Sequence, residues 1–250
     1  MRFRAQIEYD GAEYFGFQRQ KRSQPTIQSE LERVLSHLAD KPTIVTGAGR
    51  TDRGVHASGQ VISFDLAWGH GTKALQRAIN ANLGPDIAVV GLAETAPQFH
   101  PRFDARRRAY RYYIYNAPVH SPVRRQRSWH VRERLDVNAM SEAASELVGE
   151  QDFATFGSPP QGDNSVREVF AAQWRRHNGL LVFYIEANAF LYRMVRTIVG
   201  TLKAVGEGSW TVEAFVVALH ARDRSRAAAV APPHGLYLVK VEYDDEMGGR

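Results

Sequence analysis

The sequence predicts an α+β fold: two ferredoxin-like, RNA-recognition-like halves joined into one largely antiparallel sheet, with helices on the outer face and a basic cleft. Three observations lead there. Apolar periodicity over residues 1–104 gives the order β-α-β-β-α-β. Residues 105–250 roughly repeat that order, although no sequence repeat is visible. Between Arg102 and Arg134 stand ten arginines against two acids, Asp104 and Glu133, with tyrosines among them. The expected division is an N-terminal half, 1–104, carrying a glycine-rich loop, and a C-terminal half, 105–250.

In the first half, residues 3–10 alternate and end in Asp10-Gly11, a strand followed by a turn. Residues 14–20 form a loop rich in aromatic and amide groups. Thr26 caps a helix whose Ile27, Leu31, Val34, Leu35 and Leu38 share one face. Short β-favouring runs at 43–45 and 61–64 flank the glycine-rich stretch. A helix over residues 73–83 and a strand over 87–92 complete the half.

In the second half, residues 110–116 alternate as a strand. Tyr110, Tyr112 and Ile114 fall on one face and Arg111, Tyr113 and Tyr115 on the other. A helix over 137–148 is stopped by Gly149. A short strand is expected at 153–156 and a mobile loop at 158–164. Strands at 169–174 and 180–186 are joined by an Asn178-Gly179 turn. A long helix over 191–205 carries the stripe Leu191, Met194, Val195, Ile198, Leu202 and Val205, which leaves Arg193 and Arg196 off it. A shorter helix at 212–221 and a strand at 236–243 close the chain.

Composition narrows the function. Hydrophobic residues make up 44% and charged residues 24%, usual for a globular protein. With no cysteine, disulfides and thiolate metal sites are excluded. The nine histidines include no H-x-x-x-H pair, so a zinc site is not expected. No apolar run approaches a membrane span, and the first residues enter a strand without a signal-type apolar region. A cytoplasmic location is therefore expected. The net charge of +5 suggests a polyanionic partner. Arginine rather than lysine dominates the basic span, which suits bidentate phosphate contacts and stacking on bases. A merely solvated basic face is the plain alternative, and the interleaved aromatics favour nucleic acid over it.

The stretch from Thr46 to Gln60, TGAGRTDRGVHASGQ, holds Asp52 between Arg50 and Arg53 among four glycines. The glycines allow sharp turning and close approach of a ligand. The neighbouring cations favour an ionised carboxylate, and such a group on an approachable backbone suits a nucleophile. By residue type alone Asp52 also fits an ordinary turn, and a phosphate-cradling loop lacks its Gly-Lys-Ser/Thr ending here.

The longer strings decide more. Gly49-Arg50-Thr51-Asp52-Arg53-Gly54-Val55-His56 resembles the G-R-T-D-x-G-V-H signature of the tRNA pseudouridine synthase A family. Ala187-Asn188-Ala189-Phe190-Leu191-Tyr192-Arg193-Met194-Val195-Arg196 resembles its second signature, A-N-x-F-x-x-x-M-V-R. Glu8 to Gly11, Gly16 to Gln20, Asn80 to Leu83, Asp86 to Val89, Phe99 to Phe103, Tyr110 to Tyr112 and Gly235 to Leu238 resemble further family motifs, so the likeness runs through nearly the whole chain. Phe17 replaces the usual tryptophan, and Arg53 stands where alanine is common.

The resemblance implies isomerisation of uridine to pseudouridine in the anticodon stem-loop of tRNA, by a homodimer, with no cofactor and no metal. It implies that Asp52 acts on the ribose, either attacking C1′ or removing a C2′ proton. Arg50 would neutralise phosphate or fill the space left by the base, Tyr110 would stack on the detached uracil, and Arg196 would pair with Asp52. Arg107, Arg108 and Arg111 beside Tyr110, and Gln18 and Gln20 in the first loop, are the further substrate contacts expected. The rivals are a non-catalytic RNA-binding protein and a nucleotide enzyme built on the glycine loop.

Overall fold

The computed structural model describes residues 1–20, 24–160 and 162–244. In chain order the elements are β1 (Arg2–Tyr9), α1 (Ile27–Ala39), β2 (Thr46–Gly47), β3 (His56–Asp65), α2 (Thr72–Asn82), β4 (Ile87–Glu94), β5 (Arg107–Asn116), β6 (Trp129–Val131), α3 (Val137–Ser145), β7 (Gly149–Asp152), β8 (Val166–His177), β9 (Leu180–Ala187), α4 (Met194–Gly206), α5 (Val212–Ala221) and β10 (Leu236–Glu242). The fold is α+β with mainly antiparallel pairing, as expected. It divides into two compact units: Met1–Arg106 with the chain from Tyr237 onward, and Arg107–Leu236.

In the first unit β1 lies between β3 and β4, antiparallel to both, and β2 pairs with β3. That order, β4-β1-β3-β2, is the one a β-α-β-β-α-β ferredoxin-like unit takes. β10 also runs along β3, in parallel, at Tyr237 and Leu238. Phe3, Ala5, Ile7 and Tyr9 alternate into the core, where α1 adds Ile27, Leu31, Val34 and Leu35, and α2 adds Leu75 and Ile79. The Thr26 cap forms a reciprocal box with Ser29 rather than with an acid: Ser29 N donates to Thr26 Oγ1 at 3.2 Å and Thr26 N to Ser29 Oγ at 3.0 Å.

Two expectations fail here. Residues 43–45 are not a strand, and Ile44 is 70% exposed. Side chains of α1 take the backbone groups a ladder would need: Val45 N donates to Glu32 Oε1 (3.2 Å) and Val45 O accepts from Gln28 Nε2 (3.0 Å). β3 begins at His56, well before the apolar run that signals it. It is buried on both faces over most of its length, so polar Ser63 and Gln60 sit inside and the alternation is lost.

The second unit has the strand order β5-β9-β8-β7, with every neighbour antiparallel and β6 running parallel along β5. Asn178 (φ 48°) and Gly179 (φ 75°) both take the left-handed conformation that a two-residue hairpin turn requires. Tyr112 is fully buried; its hydroxyl donates to Pro232 O at 2.7 Å, and Gly235 lies against its ring, where a Cβ would come within 2.7 Å. α5 has the bounds expected, capped by Thr211.

Elsewhere the sequence misleads. Residues 153–156 form a turn, not a strand: Phe156 N donates to Phe153 O (2.8 Å) and Ala154 N to Asp152 Oδ1 (3.0 Å). Phe153 and Phe156 are buried as turn anchors, which mimics a strand's apolar content. α3 ends at Ser145 rather than 148. α4 starts at Met194 rather than 191, because Arg193 is left-handed (φ 61°) and Tyr192 is tied to Ser158 through its N–H at 2.9 Å. Of the loop expected at 158–164, Gln161 lies outside the described residues.

Candidate active site

Asp52 sits on a loop anchored at several points. Ala48 N donates to Val61 O (2.8 Å), after which residues 49–55 leave the ladder. Gln60 is fully buried and its Nε2 donates to Gly49 O at 2.9 Å. Thr51 O accepts from Phe17 N at 3.0 Å, and Thr51 Oγ1 and the buried Tyr9 hydroxyl are 2.8 Å apart. Val55 N donates to Asp52 O at 3.1 Å, closing a tight turn through Gly54 (φ 77°). The backbone around Asp52 is thereby fixed while its side chain remains half-exposed. Arg50 is exposed, and Arg53 lies over the Phe15 ring at 4.2 Å, a cation–π contact.

The loop over residues 11–20 packs directly on this turn. A Cβ on Gly16 (φ +92°) would lie 2.7 Å from Thr51 O, and one on Gly11 would lie 2.0 Å from Val55 O. Only glycine permits that approach. Behind the turn, the buried His56 ring stacks on Tyr237 with centroids 4.5 Å apart. Its Nδ1 lies 3.1 Å from Gly11 N and 3.0 Å from Asp10 Oδ1. The first contact suits an unprotonated Nδ1 and the second a protonated one. Gln18 and Gln20 are exposed on the same loop; Gln20 Nε2 donates to Phe15 O (2.8 Å), and Arg19 between them pairs with Glu32 at 2.9 Å.

The remaining expected residues belong to the second unit. Tyr110 is half-buried with Phe190 edge-on to its ring, centroids 5.0 Å apart. Arg108 Nη1 donates to Asn188 O at 2.8 Å. Arg107 pairs with Glu186 at 3.1 Å and lies over the Phe170 ring at 4.1 Å. Arg111 is exposed and, with Tyr113, Arg175 and Tyr184, lines an open cavity of 530 Å³. Arg196 occupies the first turn of α4. It is one of two residues of that helix, with Lys203, not fully buried. Its Nε donates to Ala231 O at 2.8 Å, and Ala231 N donates to its carbonyl at 3.0 Å.

Asp52, Arg50, Gln18 and Gln20 thus share one pair of abutting loops in the first unit. In the second, strand alternation splits the expected set: Arg108 and Tyr110 face one way from β5, Arg107 and Arg111 the other. Sequence reasoning missed the supports Tyr9, Thr51, Gln60 and the Ala231 strap. Nothing in their spacing marks them, since their value lies in contacts distant along the chain. Among the described residues no group of three or more His, Asp or Glu side chains gathers to hold a metal ion.

These features define a class: an α+β protein with an RNA-recognition-like sheet and a carboxylate presented on a glycine-pinned loop. A family model described as tRNA pseudouridine synthase matches residues 5–104 and 143–244, and the chain belongs to that family. It is 43% identical over 249 residues to a tRNA pseudouridine synthase A of Shewanella amazonensis, covering 99% of this chain and 95% of that one. It is 42% identical over 248 residues to one from Rhodospirillum rubrum, covering 98% and 89%. It is 40% identical over 243 residues to one from Neisseria meningitidis serogroup C, covering 97% and 92%. Among solved structures, a chain of a Cbf5-Nop10-Gar1 complex aligns with 97% of this chain and 60% of its own length, at TM-score 0.39 and 11% identity.

Proposed function

We propose that this chain isomerises uridine to pseudouridine in the anticodon stem-loop of tRNA, with Asp52 as the group that acts on the target nucleotide. The observation that carries the proposal is the Asp52 turn itself: a carboxylate in the family's signature string, half-exposed on a backbone pinned by Phe17, Gln60 and Val55. Preorganisation of that kind is what a reacting group needs.

The reaction breaks the N1–C1′ bond, turns the base, and joins C5 to C1′; the C5 proton leaves and N1 gains one, so the product is an isomer. The target must first leave the helix stack. Asp52 either attacks C1′ as a nucleophile or removes the C2′ proton. Tyr110, edge-on to Phe190, offers a ring for the detached uracil and a hydroxyl near its C5 proton. Arg196 is assigned, through the matching signature, the cation that pairs with Asp52 and aims it. Arg50 meets the phosphate of the target nucleotide or occupies the space vacated by the base. Arg107, Arg108, Arg111, Gln18 and Gln20 supply further contacts to RNA. The enzyme works as a homodimer in the cytoplasm, where its substrate is, and needs no cofactor.

The test is release of the C5 hydrogen from a tRNA transcript carrying uridine labelled at C5. Release at enzyme-dependent rate supports the proposal. Tight tRNA binding without release supports a non-catalytic RNA-binding protein instead.

A further inference from the structure

We infer that Phe103 is a stacking platform for one unpaired base of the RNA substrate. The inference rests on the function proposed above and adds a contact to it. It comes from the turn at residues 100–104, in the first unit, which holds this ring out to solvent.

Phe103 is 73% exposed. A single apolar side chain at the surface needs no explanation by itself. What sets this one apart is how firmly its backbone is tied. The turn closes twice: Asp104 N donates to His100 O at 3.1 Å, and His100 N donates to Asp104 Oδ2 at 2.8 Å. Inside it, Arg102 N and Phe103 N both donate to His100 Nδ1, at 3.2 and 3.3 Å. Phe99, just before the turn, is fully buried; its N–H donates to Ala96 O at 3.0 Å and its carbonyl accepts from Arg2 Nη1 at 3.1 Å. The Tyr243 hydroxyl donates to the carbonyl of buried Pro101 at 2.8 Å. Every backbone N–H from Phe99 to Asp104 thus has a partner, the proline having none to give. A fixed backbone, not a loose one, exposes the ring.

The surroundings of the ring select its ligand. The His100 imidazole lies against it, tilted by 32° with centroids 4.2 Å apart, and the Arg102 guanidinium lies 5.6 Å from its centroid. An aromatic ring held open beside a guanidinium is the pairing on which RNA-binding proteins stack an unpaired base. Phe103 also stands at the start of the span from Arg102 to Arg134, with its ten arginines. That charge favours a polyanion over a second copy of this chain, because a two-fold contact through this turn would set like cations against each other. The ring offers no hydrogen bond, so the contact is to the face of a base and reads no sequence.

The experiment measures binding of a tRNA transcript across a salt series for the wild type, Phe103→Ala, Phe103→Leu and Phe103→Trp, on preparations whose thermal unfolding matches wild type. Sedimentation reads the oligomeric state of each. Phe103→Ala should lose about 5- to 150-fold in affinity, the worth of one stacked base. The loss should be the same at every salt concentration, because stacking releases no counterion. Phe103→Leu keeps apolar bulk without the ring and should lose nearly as much, whereas Phe103→Trp should bind at least as tightly as wild type. Unchanged affinity in Phe103→Ala overturns the inference. A Leu variant that binds like wild type overturns it in favour of plain apolar packing, and a flattened salt slope in favour of a phosphate contact. A changed oligomeric state in Phe103→Ala overturns it in favour of a contact between copies. A wild-type chain that yields no pseudouridine refutes the proposed function instead, while the affinities of the variants still decide the stacking contact.

Discussion

Arg196 and Ala231 are joined twice, backbone to backbone at 3.0 Å and side chain to backbone at 2.8 Å. The segment carrying Ala231 lies strapped along α4: Thr201 Oγ1 accepts from Ala228 N at 3.3 Å, and Gly200 lies directly under Ala229. The strap sets where the Arg196 guanidinium can point, because its Nε is committed to Ala231 and the rest of the planar fork follows.

Gly200→Ala tests the strap. A Cβ there would stand 1.8 Å from Ala229 O, a backbone atom that cannot swing aside. Stability should fall by about 1–3 kcal/mol, the usual cost of overpacking. Single-turnover pseudouridine formation should fall further than the lost folded fraction explains. Chemical denaturation and single-turnover assays on one preparation check this; a stability loss with undiminished turnover of the folded fraction would separate the strap from Arg196's task.

Gly16→Ala tests the support of the Asp52 turn. The position has φ +92°, and a Cβ would lie 2.7 Å from Thr51 O. The substitution should push apart the loops at 14–20 and 49–55. A misplacement of about 1 Å can cost on the order of a hundredfold in rate. The expected result is a large loss of turnover with tRNA affinity nearly kept. Equal losses of both would mean that the loop serves binding rather than alignment of Asp52.

Much of this was legible in the sequence, and the failures share a cause. The β-α-β-β-α-β order, the Asn178-Gly179 hairpin and the bounds of α5 rest on local chemistry, which the sequence displays directly. Residues 43–45 read as a strand because the competing partners of Val45 are the side chains of Gln28 and Glu32, more than ten residues away. Residues 191–193 read as helix because Leu191 completes an apolar stripe, while the bond from Tyr192 to Ser158 that prevents it is remote. The candidate site divides similarly. Asp52 and Arg196 stand in recognisable strings. Arg107 and Arg111 stand beside Tyr110 in sequence and face the other way from β5, an alternation that the sequence itself displays.

Acid should weaken the second unit through Asp152. The Ser165 hydroxyl, 2.5 Å from Oδ1, holds that carboxyl below the usual range; the Ala154 N–H and Arg222 add to the effect against partial burial. A carboxyl whose folded value is depressed contributes stability above its unfolded value, about 3.9, and loses it as pH falls through the folded value. Ser165→Ala removes the largest cause. The variant should be less stable than wild type at neutral pH, and the gap should close on acidification below about pH 4. Denaturant midpoints across that range check it; a gap independent of pH would assign the effect of Ser165 to packing.

Tyr110 should divide into a ring and a hydroxyl contribution. Tyr110→Phe keeps the ring against Phe190 and should bind tRNA nearly normally. Tyr110→Ala should lose about 1–3 kcal/mol of base stacking. Slow turnover by the Phe variant with normal binding would place the hydroxyl in removal of the C5 proton. Identical affinity and rate in both variants would contradict stacking.

Asp52→Asn tests the central claim most directly. Asn has nearly the same size, adopts the same turn conformations, and lacks the charge and the reactive oxygen. The Asp52 carbonyl still accepts from Val55 N, so the turn should survive the change. tRNA affinity and single-turnover pseudouridine yield are measured on one preparation whose thermal unfolding matches wild type. The account predicts yield at background with affinity unchanged or raised, since a carboxylate facing a polyanion opposes binding. Appreciable pseudouridine formation by the folded Asp52→Asn protein would contradict it.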